Sequence, residues 1–216
     1  MEIINSIWEG IQSGDARGMA QLIPQALNEN FLPATILQEG LAKGIIEAEK
    51  RFQKNEILDS EYLMCEEALR TGMRLLWPWL KVNKAGCIGT VITGTLEGDI
   101  REANKDLSSC LMQSLGLRVI DLGSSISGFR FIEAAIEEKA QVIVCITSLT
   151  IFLPLMKSLM QAANQMKIRP RTKILLSGGP VTEWFCESIN ADMYAPDLVR
   201  AANMAAEYCK KVHALR

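Results

Sequence analysis

A single histidine, His213, stands in the 216 residues, close to the C-terminus in KKVHALR. Schemes that need an internal histidine as base, such as Ser-His-Asp or Cys-His sites, are therefore closed to this chain. A histidine so near the end is expected on the surface of a last, frayed helical turn. Paired cysteines are also lacking. Cys65, Cys87, Cys110, Cys145, Cys186 and Cys209 include no C-x-x-C, which excludes the common structural zinc arrangements. Cys145 sits in the apolar run VIVCI, so the cysteines read as reduced, buried small residues. No stretch approaches the roughly 20 consecutive apolar residues of a membrane helix. The first residues, MEIINSIWEG, carry acidic groups where a secretory signal would be basic. A cytoplasmic protein is expected. Charge is balanced, with 23 Lys and Arg against 25 Asp and Glu and a net charge of -2. That balance and the scatter of the basic residues argue against a phosphate-tracking surface, hence against nucleic-acid binding.

What is present is 49% apolar and 22% charged residues, the composition of a soluble globular protein. Residues 2 to 13 and 16 to 29 carry apolar positions at helical spacing, and Asp15 is placed to cap the second stretch. A third helix is expected from Pro33, a first-turn proline, to Phe52, and a fourth from about Glu61 to Leu76, ending before Pro78. Four helices with short connections make a bundle. The segment Trp77-Pro78-Trp79 and the polar KVNKAG after it read as a linker. The domains expected are thus 1–80, a helical bundle, and 87–216.

From Cys87 onward, short apolar runs alternate with longer amphipathic stretches. The runs are 87 to 92, 118 to 122, 141 to 146, 173 to 177 and 192 to 195. The stretches lie near 102 to 116, 128 to 139, 152 to 167, 181 to 189 and from about Pro196. Runs without polar alternation are expected of strands covered on both faces. Their alternation with helices implies right-handed parallel βαβ units. The fold class expected is α/β: a four-helix bundle followed by a flavodoxin-like, Rossmann-like five-stranded parallel sheet. Ligands of such sheets sit beyond the carboxyl ends of the strands, which directs attention to loops 93 to 104, 147 to 151 and 177 to 182.

The first loop, TGTLEGDIREANKDL, places two glycines between a strand and a helix and could cradle a phosphate. It fits neither G-x-G-x-x-G nor G-x-x-x-x-G-K-[ST]. The loop SGGPVTEW ends a strand in paired glycines, which suit close approach of a ligand or a plain tight turn equally. Hydroxyls in TSLTIF more often bond their own backbone than a ligand. Met64 on an apolar helical stripe is expected in the core, as are Trp77 and Trp79 in a core or interface. Adjacent Glu66 and Glu67 point about 100° apart on a helix and read as a solvated face.

Together the three loops resemble the signature of the cobalamin-binding domains of corrinoid methyltransferase systems: D-x-H-x-x-G, then about forty residues, S-x-L, then somewhat under thirty residues, then G-G. Asp99-Ile100-Arg101-Glu102-Ala103-Asn104 occupies the first element. Residues 105 to 146 separate it from Thr147-Ser148-Leu149, and residues 150 to 177 lead to Gly178-Gly179. Both gaps fall in the family's range. EGDIREANKDL is similar to the family's GDIHDIGKN loop, and residues 55 to 78 resemble the helices of its cap.

The resemblance implies a cobalamin (corrinoid) cofactor whose nucleotide tail lies beside the G-G and S-x-L elements, with a helical cap over the corrin in which Met64, if not in the core, would touch the upper corrin face. It also implies methyl transfer between separate methyltransferase enzymes, with a corrinoid reactivase as a further partner. Asp99, Arg101, Asn104, Thr147, Ser148, Leu149, Gly178 and Gly179 are the implied cofactor-binding residues. The family's cobalt-binding histidine is replaced by Arg101, whose guanidinium is permanently protonated and has no lone pair to give. Asn104 replaces the loop glycine and Thr147 the serine, while Phe152 stands where hydroxyl residues are common and could narrow the tail slot. Three readings follow: a corrinoid carrier without histidine ligation, in which Asp99 pairs with Arg101; a binding or regulatory subunit that has lost cobalt chemistry; or a site for another phosphate-bearing ligand, since arginine's forked donors suit phosphate.

Overall fold

The computed structural model describes residues 2–80 and 87–214. The chain divides into two compact units, Met1–Lys81 and Val82–Arg216.

The first unit is helical. Helices α1 (Glu2–Gln12) and α2 (Ala16–Asn28) are separated by a turn in which Asp15 Oδ1 accepts from the Gly18 amide at 2.8 Å. Asp15 is thus the cap that the sequence suggests. The third helical stretch is continuous but not uniform. It runs as α3 (Pro33–Thr35), a π-helical segment Ile36–Ala42, and α4 (Lys43–Gln53). The wider π turns shift the helical face, and two glycines then lie against α1. A Cβ on Gly40 would stand 2.8 Å from Ile7 Cγ2, and one on Gly44 2.8 Å from Ile11 Cβ. α5 (Asp59–Leu76) starts with the Leu58 amide donating to the Glu61 carboxylate at 2.7 Å and ends in a short 3-10 turn at Trp77–Trp79. Ile7, Ile11, Ile23, Leu41, Tyr62 and Leu69 are fully buried here.

Several expectations fail in this unit. Met64 is 55% exposed, and Trp77 and Trp79 are exposed as well, so none of the three fills a core. Glu66 is buried on the packed face of α5, whereas Glu67 is solvated and pairs with Arg70 at 2.9 Å. Met64 thus leaves the packed stripe and Glu66 joins it, the reverse of what apolar spacing alone suggests.

The second unit follows the α/β pattern: β1 (Thr90–Gly94), α6 (Ala103–Ser114), β2 (Arg118–Asp121), α7 (Gly128–Glu137), β3 (Val142–Ile146), α8 (Leu153–Gln165), β4 (Lys173–Ser177), α9 (Glu183–Ser188), β5 (Met193–Ala195) and α10 (Leu198–Ala214). All neighbours pair in parallel, in the order β2-β1-β3-β4-β5. This is the flavodoxin-like order. Side chains alternate across the sheet. Ile92, Ile143, Cys145, Ile174 and Leu176 pack with Phe131, Met156 and Leu159 of α7 and α8. Val91, Thr93, Val144, Leu175 and Ser177, of opposite parity, are buried on the α6 and α10 face.

The first strand starts later than the apolar run at 87 to 92 suggests. Gly89 lies before it, packed so tightly that a Cβ would meet Cys209 Cβ at 2.6 Å, while Thr93 and Gly94 extend the pairing to Asp121 and Cys145. Cys87 is exposed and the other five cysteines are buried, all six as free thiols. Burial pushes the Cys110 thiol up to about 12 and the Cys186 thiol up to about 11. Both are far from reactive thiolates. No helix among the described residues is long and apolar enough to cross a membrane.

Candidate functional site

At the carboxyl edge of the sheet, β1 and β3 are neighbours whose following helices leave for opposite faces. A crevice is expected at such a switch point. The loops after β1, β3 and β4 meet there, and hydrogen bonds tie them together.

Asp99 is the centre of the knot. Its side chain is 1% exposed, one oxygen accepting from the Arg101 amide and the other from Thr147 Oγ1, both at 3.0 Å. The loop reaches this position through Gly98, whose φ is +83° and whose amide donates to Ser125 Oγ at 2.9 Å. Glycine adopts that left-handed backbone without penalty. Thr95 Oγ1 donates to the Asp99 carbonyl and accepts from the Ser125 amide. Burial raises the Asp99 carboxyl above its ordinary pKa. The Arg101 amide, the Thr147 hydroxyl and, last, the Arg101 charge oppose the rise without cancelling it.

Five positions away, Asn104 opens the second turn of contacts: its Nδ2 donates to Ser148 Oγ at 2.9 Å, both side chains being buried. Leu149 is half-buried and its amide donates to Thr147 Oγ1 at 3.3 Å. Gly178 closes the knot. Its φ is +119°, and a Cβ there would lie 1.8 Å from the Thr147 carbonyl oxygen. Only glycine fits such a position. Gly179, beside it, is exposed. The structure thus joins Asp99, Arg101, Asn104, Thr147, Ser148, Leu149 and Gly178 in one chain of contacts, with Gly179 at its rim.

Phe152 is 8% exposed, and its Cε1 lies 3.5 Å from where a Cβ on Gly98 would stand. It covers the first loop from the side of the second. His213 is remote. α10 starts past the carboxyl end of β5 and runs back for 17 residues. At the helical rise that is a length of about 25 Å. Cys209, four residues before His213, already lies against Gly89 at the opposite edge.

Sequence reasoning missed three features. Lys105, 3% exposed, places Nζ 2.5 Å from Asp121 and 2.6 Å from Asp106. Burial pulls its ammonium down, but the two carboxylates outweigh it and hold the group charged. A lysine among apolar helical positions, with an aspartate ending the neighbouring strand, was the available signal. Thr95 and Ser125 brace the first loop and left no pattern in the sequence. Thr93 Oγ1 and Ser108 Oγ, from β1 and α6, are fully buried with no hydrogen-bond partner among the described residues.

Residues 3–76 and residues 89–202 each match a family described as a B12 binding domain. Trimethylamine corrinoid protein 1 of Methanosarcina acetivorans is 30% identical over 198 residues, spanning 89% of this chain and 90% of its own. The structure of the Methanosarcina barkeri monomethylamine corrinoid protein superposes with a TM-score of 0.81 at 28% identity, covering 95% of this chain and 98% of the other. A chain of the methanol:cobalamin methyltransferase complex of the same organism shares the fold, with a TM-score of 0.54 at 19% identity over 96% of this chain and 80% of its own.

Proposed function

The chain belongs to the B12-binding domain family, and from that premise we propose that it is the corrinoid-carrying subunit of a methyltransferase system, holding cobalt without a histidine of its own. The observation that carries this reading is the knot of three loops at the β1/β3 switch point, in which Asp99 meets Thr147, Asn104 meets Ser148, and Gly178 lies against Thr147.

The residues fit a corrinoid with a polar arm. Leaving a hydroxyl buried and unpaired costs about 1–3 kcal/mol. Thr93 and Ser108 each leave one between β1 and α6. Polar atoms of a nucleotide arm entering beside α6 would satisfy both. Gly178 and Gly179 let the arm approach the backbone without a side chain between. The residues do not fit histidine ligation. Arg101 has no lone pair to offer, and His213 lies at the other edge of the sheet.

A bound corrinoid supplies a cobalt centre that takes up and gives up a methyl group. The chain's own part is to seat and shield the group. Asp99 and Thr147 fix the first loop against the second, Asn104 and Ser148 fix the start of α6, and Arg101 brings a permanent positive charge beside Asp99. The partners on this reading are the methyltransferases that deliver and accept the methyl group and a corrinoid reactivase, and the place of action is the cytoplasm.

Purified protein mixed with hydroxocobalamin should co-elute with it on gel filtration, with no histidine-ligated spectrum. Arg101→His should create such a spectrum. Colourless protein fractions would remove the carrier role in favour of a binding subunit without cobalt chemistry. A visible spectrum unchanged by the substitution would remove Arg101 from the lower face of cobalt.

A further inference from the structure

We propose that Cys87 and Cys209 form a thiol–disulfide site, at which a low-molecular-weight disulfide such as oxidised glutathione reversibly links the start of the α/β unit to α10, with or without a bound corrinoid.

The two sulfurs share one neighbour, Gly89. Cys87 Sγ donates to the Gly89 carbonyl at 3.1 Å, and Cys209 Sγ stands 2.7 Å from where a Cβ on Gly89 would be. The missing side chain is what lets α10 come so close to the backbone there. Sheet-like pairing reaches this point: the Ile88 amide donates to the Gly116 carbonyl at 3.1 Å, and the Gly89 carbonyl accepts from the Arg118 amide at 2.9 Å. Residues two apart in extended chain share a face. Cys87 and Gly89 therefore both belong to the face on which Cys209 lies. Electrostatics agrees, because the Cys87 charge is felt at the Cys209 thiol. Cys87 precedes β1, so a small shift of its backbone closes the bond without breaking the strand pairing.

The two thiols differ in a way that orders the chemistry. Cys87 is exposed, whereas Cys209 is fully buried, and its thiol is pushed up to about 12 by burial first and by the Cys87 charge second. The attacking species in disulfide exchange is an accessible thiolate. Cys87 therefore attacks first: its sulfur bonds to one glutathione sulfur, the reagent's S–S bond breaks, and one glutathione thiolate leaves. Cys209 then gives its proton to solvent and attacks the Cys87 sulfur, displacing the second glutathione. Two protein thiols are oxidised and one disulfide is reduced to two thiols. The second step is intramolecular, which offsets the low thiolate fraction of Cys209. The new bond closes a loop from residue 87 to residue 209 that contains all five strands, and so restricts the unfolded chain strongly.

The test is incubation of the full chain with excess oxidised glutathione, quenching with N-ethylmaleimide in urea, intact mass measurement and non-reducing peptide mapping. The parent should pass through a single glutathione adduct and end with four of its six thiols free to alkylate. It should also yield a linked Cys87–Cys209 peptide and a higher melting temperature that dithiothreitol reverses. Cys209→Ala should stop at the adduct on Cys87. Cys87→Ser, a change at an exposed position, should form neither adduct nor bond. A parent that stops at the adduct, one that keeps six free thiols, or a bond from Cys87 to Cys110 of α6 would overturn the proposal.

Discussion

The two units bury different things. The helical unit packs apolar side chains against glycines: Gly40 on Ile7, Gly44 on Ile11 and, between α5 and the π segment, Gly72 on Leu41. It buries few polar groups, Glu49 and Glu66 among them, whereas the α/β unit buries many and gathers most of them at one end. Asp99, Asn104, Thr147 and Ser148 at the loops, with Thr93 and Ser108 beneath them, are all at most 3% exposed. Burying polar groups costs stability unless each finds a partner. A unit that concentrates that cost at the carboxyl edge of its sheet, and leaves two hydroxyls there unsatisfied, supports the proposal that a ligand sits at that edge. The helical unit is organised around its own packing.

The contrast can be broken most severely at Gly178. Gly178→Ala sets a methyl group on the Thr147 carbonyl in a left-handed backbone. A loss of at least about 3 kcal/mol is expected from strain and overpacking together. Urea unfolding would register it, with loss of corrinoid retention in parallel. Gly116 has a φ of +89° but nothing within 4 Å of an added Cβ. The same change there should cost only about 1 kcal/mol. Equal losses at both would mean that the loop knot is not the constraint.

In the helical unit, Leu69→Ala empties a fully buried site. It should lower stability by about 2–5 kcal/mol, and a loss in denaturation below about 1 kcal/mol would mean that the bundle is loosely packed.

Asp99→Asn probes the polar end with the opposite sign. The folded state raises the pKa of Asp99, so its contribution to stability is present at acid pH and lost as pH rises through the folded value. The asparagine variant keeps one oxygen for the Arg101 amide, turns its NH2 to Thr147 Oγ1, which can accept, and removes the buried charge. Without cofactor it should melt above the parent at pH 7, with the advantage fading towards acid pH. A variant that melts lower at pH 7 would show that the ionised carboxylate stabilises the loops. The smallest effect is expected at the exposed Lys43–Glu39 pair. Thermal melting of Lys43→Ala should show a change of less than about 0.5 kcal/mol, as for other solvated ion pairs.

Much of this was legible in the chain itself. Uniform apolar runs such as VIVCI and KILLS marked doubly covered strands, and their spacing pointed to the parallel sheet. Motif spacing also singled out the residues that the loop knot joins, because a D-x-x-x-x-N turn, a hydroxyl pair and a glycine pair are set by backbone demands that leave a residue-type trace. The rest left none. A π segment cannot be seen from a 3.6-residue repeat. The exposure of Met64 and the burial of Glu66 depend on how α2 and α4 pack against α5, which the apolar spacing of α5 does not record. The start of β1 depends on Gly89 meeting Cys209, a contact between residues far apart in the chain. Lys105 escaped notice because its two carboxylates come from different elements, and only folding brings Asp121 to it.

The central claim, a corrinoid seated in this crevice with no protein histidine on cobalt, is tested most directly by electron paramagnetic resonance of the cobalt(II) form. Two samples are needed, one with natural-abundance histidine and one labelled with nitrogen-15 only in histidine. The cobalt signal should co-elute with the chain and be identical in the two samples. A hyperfine pattern that changes with the label would place an imidazole on cobalt and contradict the account, as would a cobalt signal that separates from the protein.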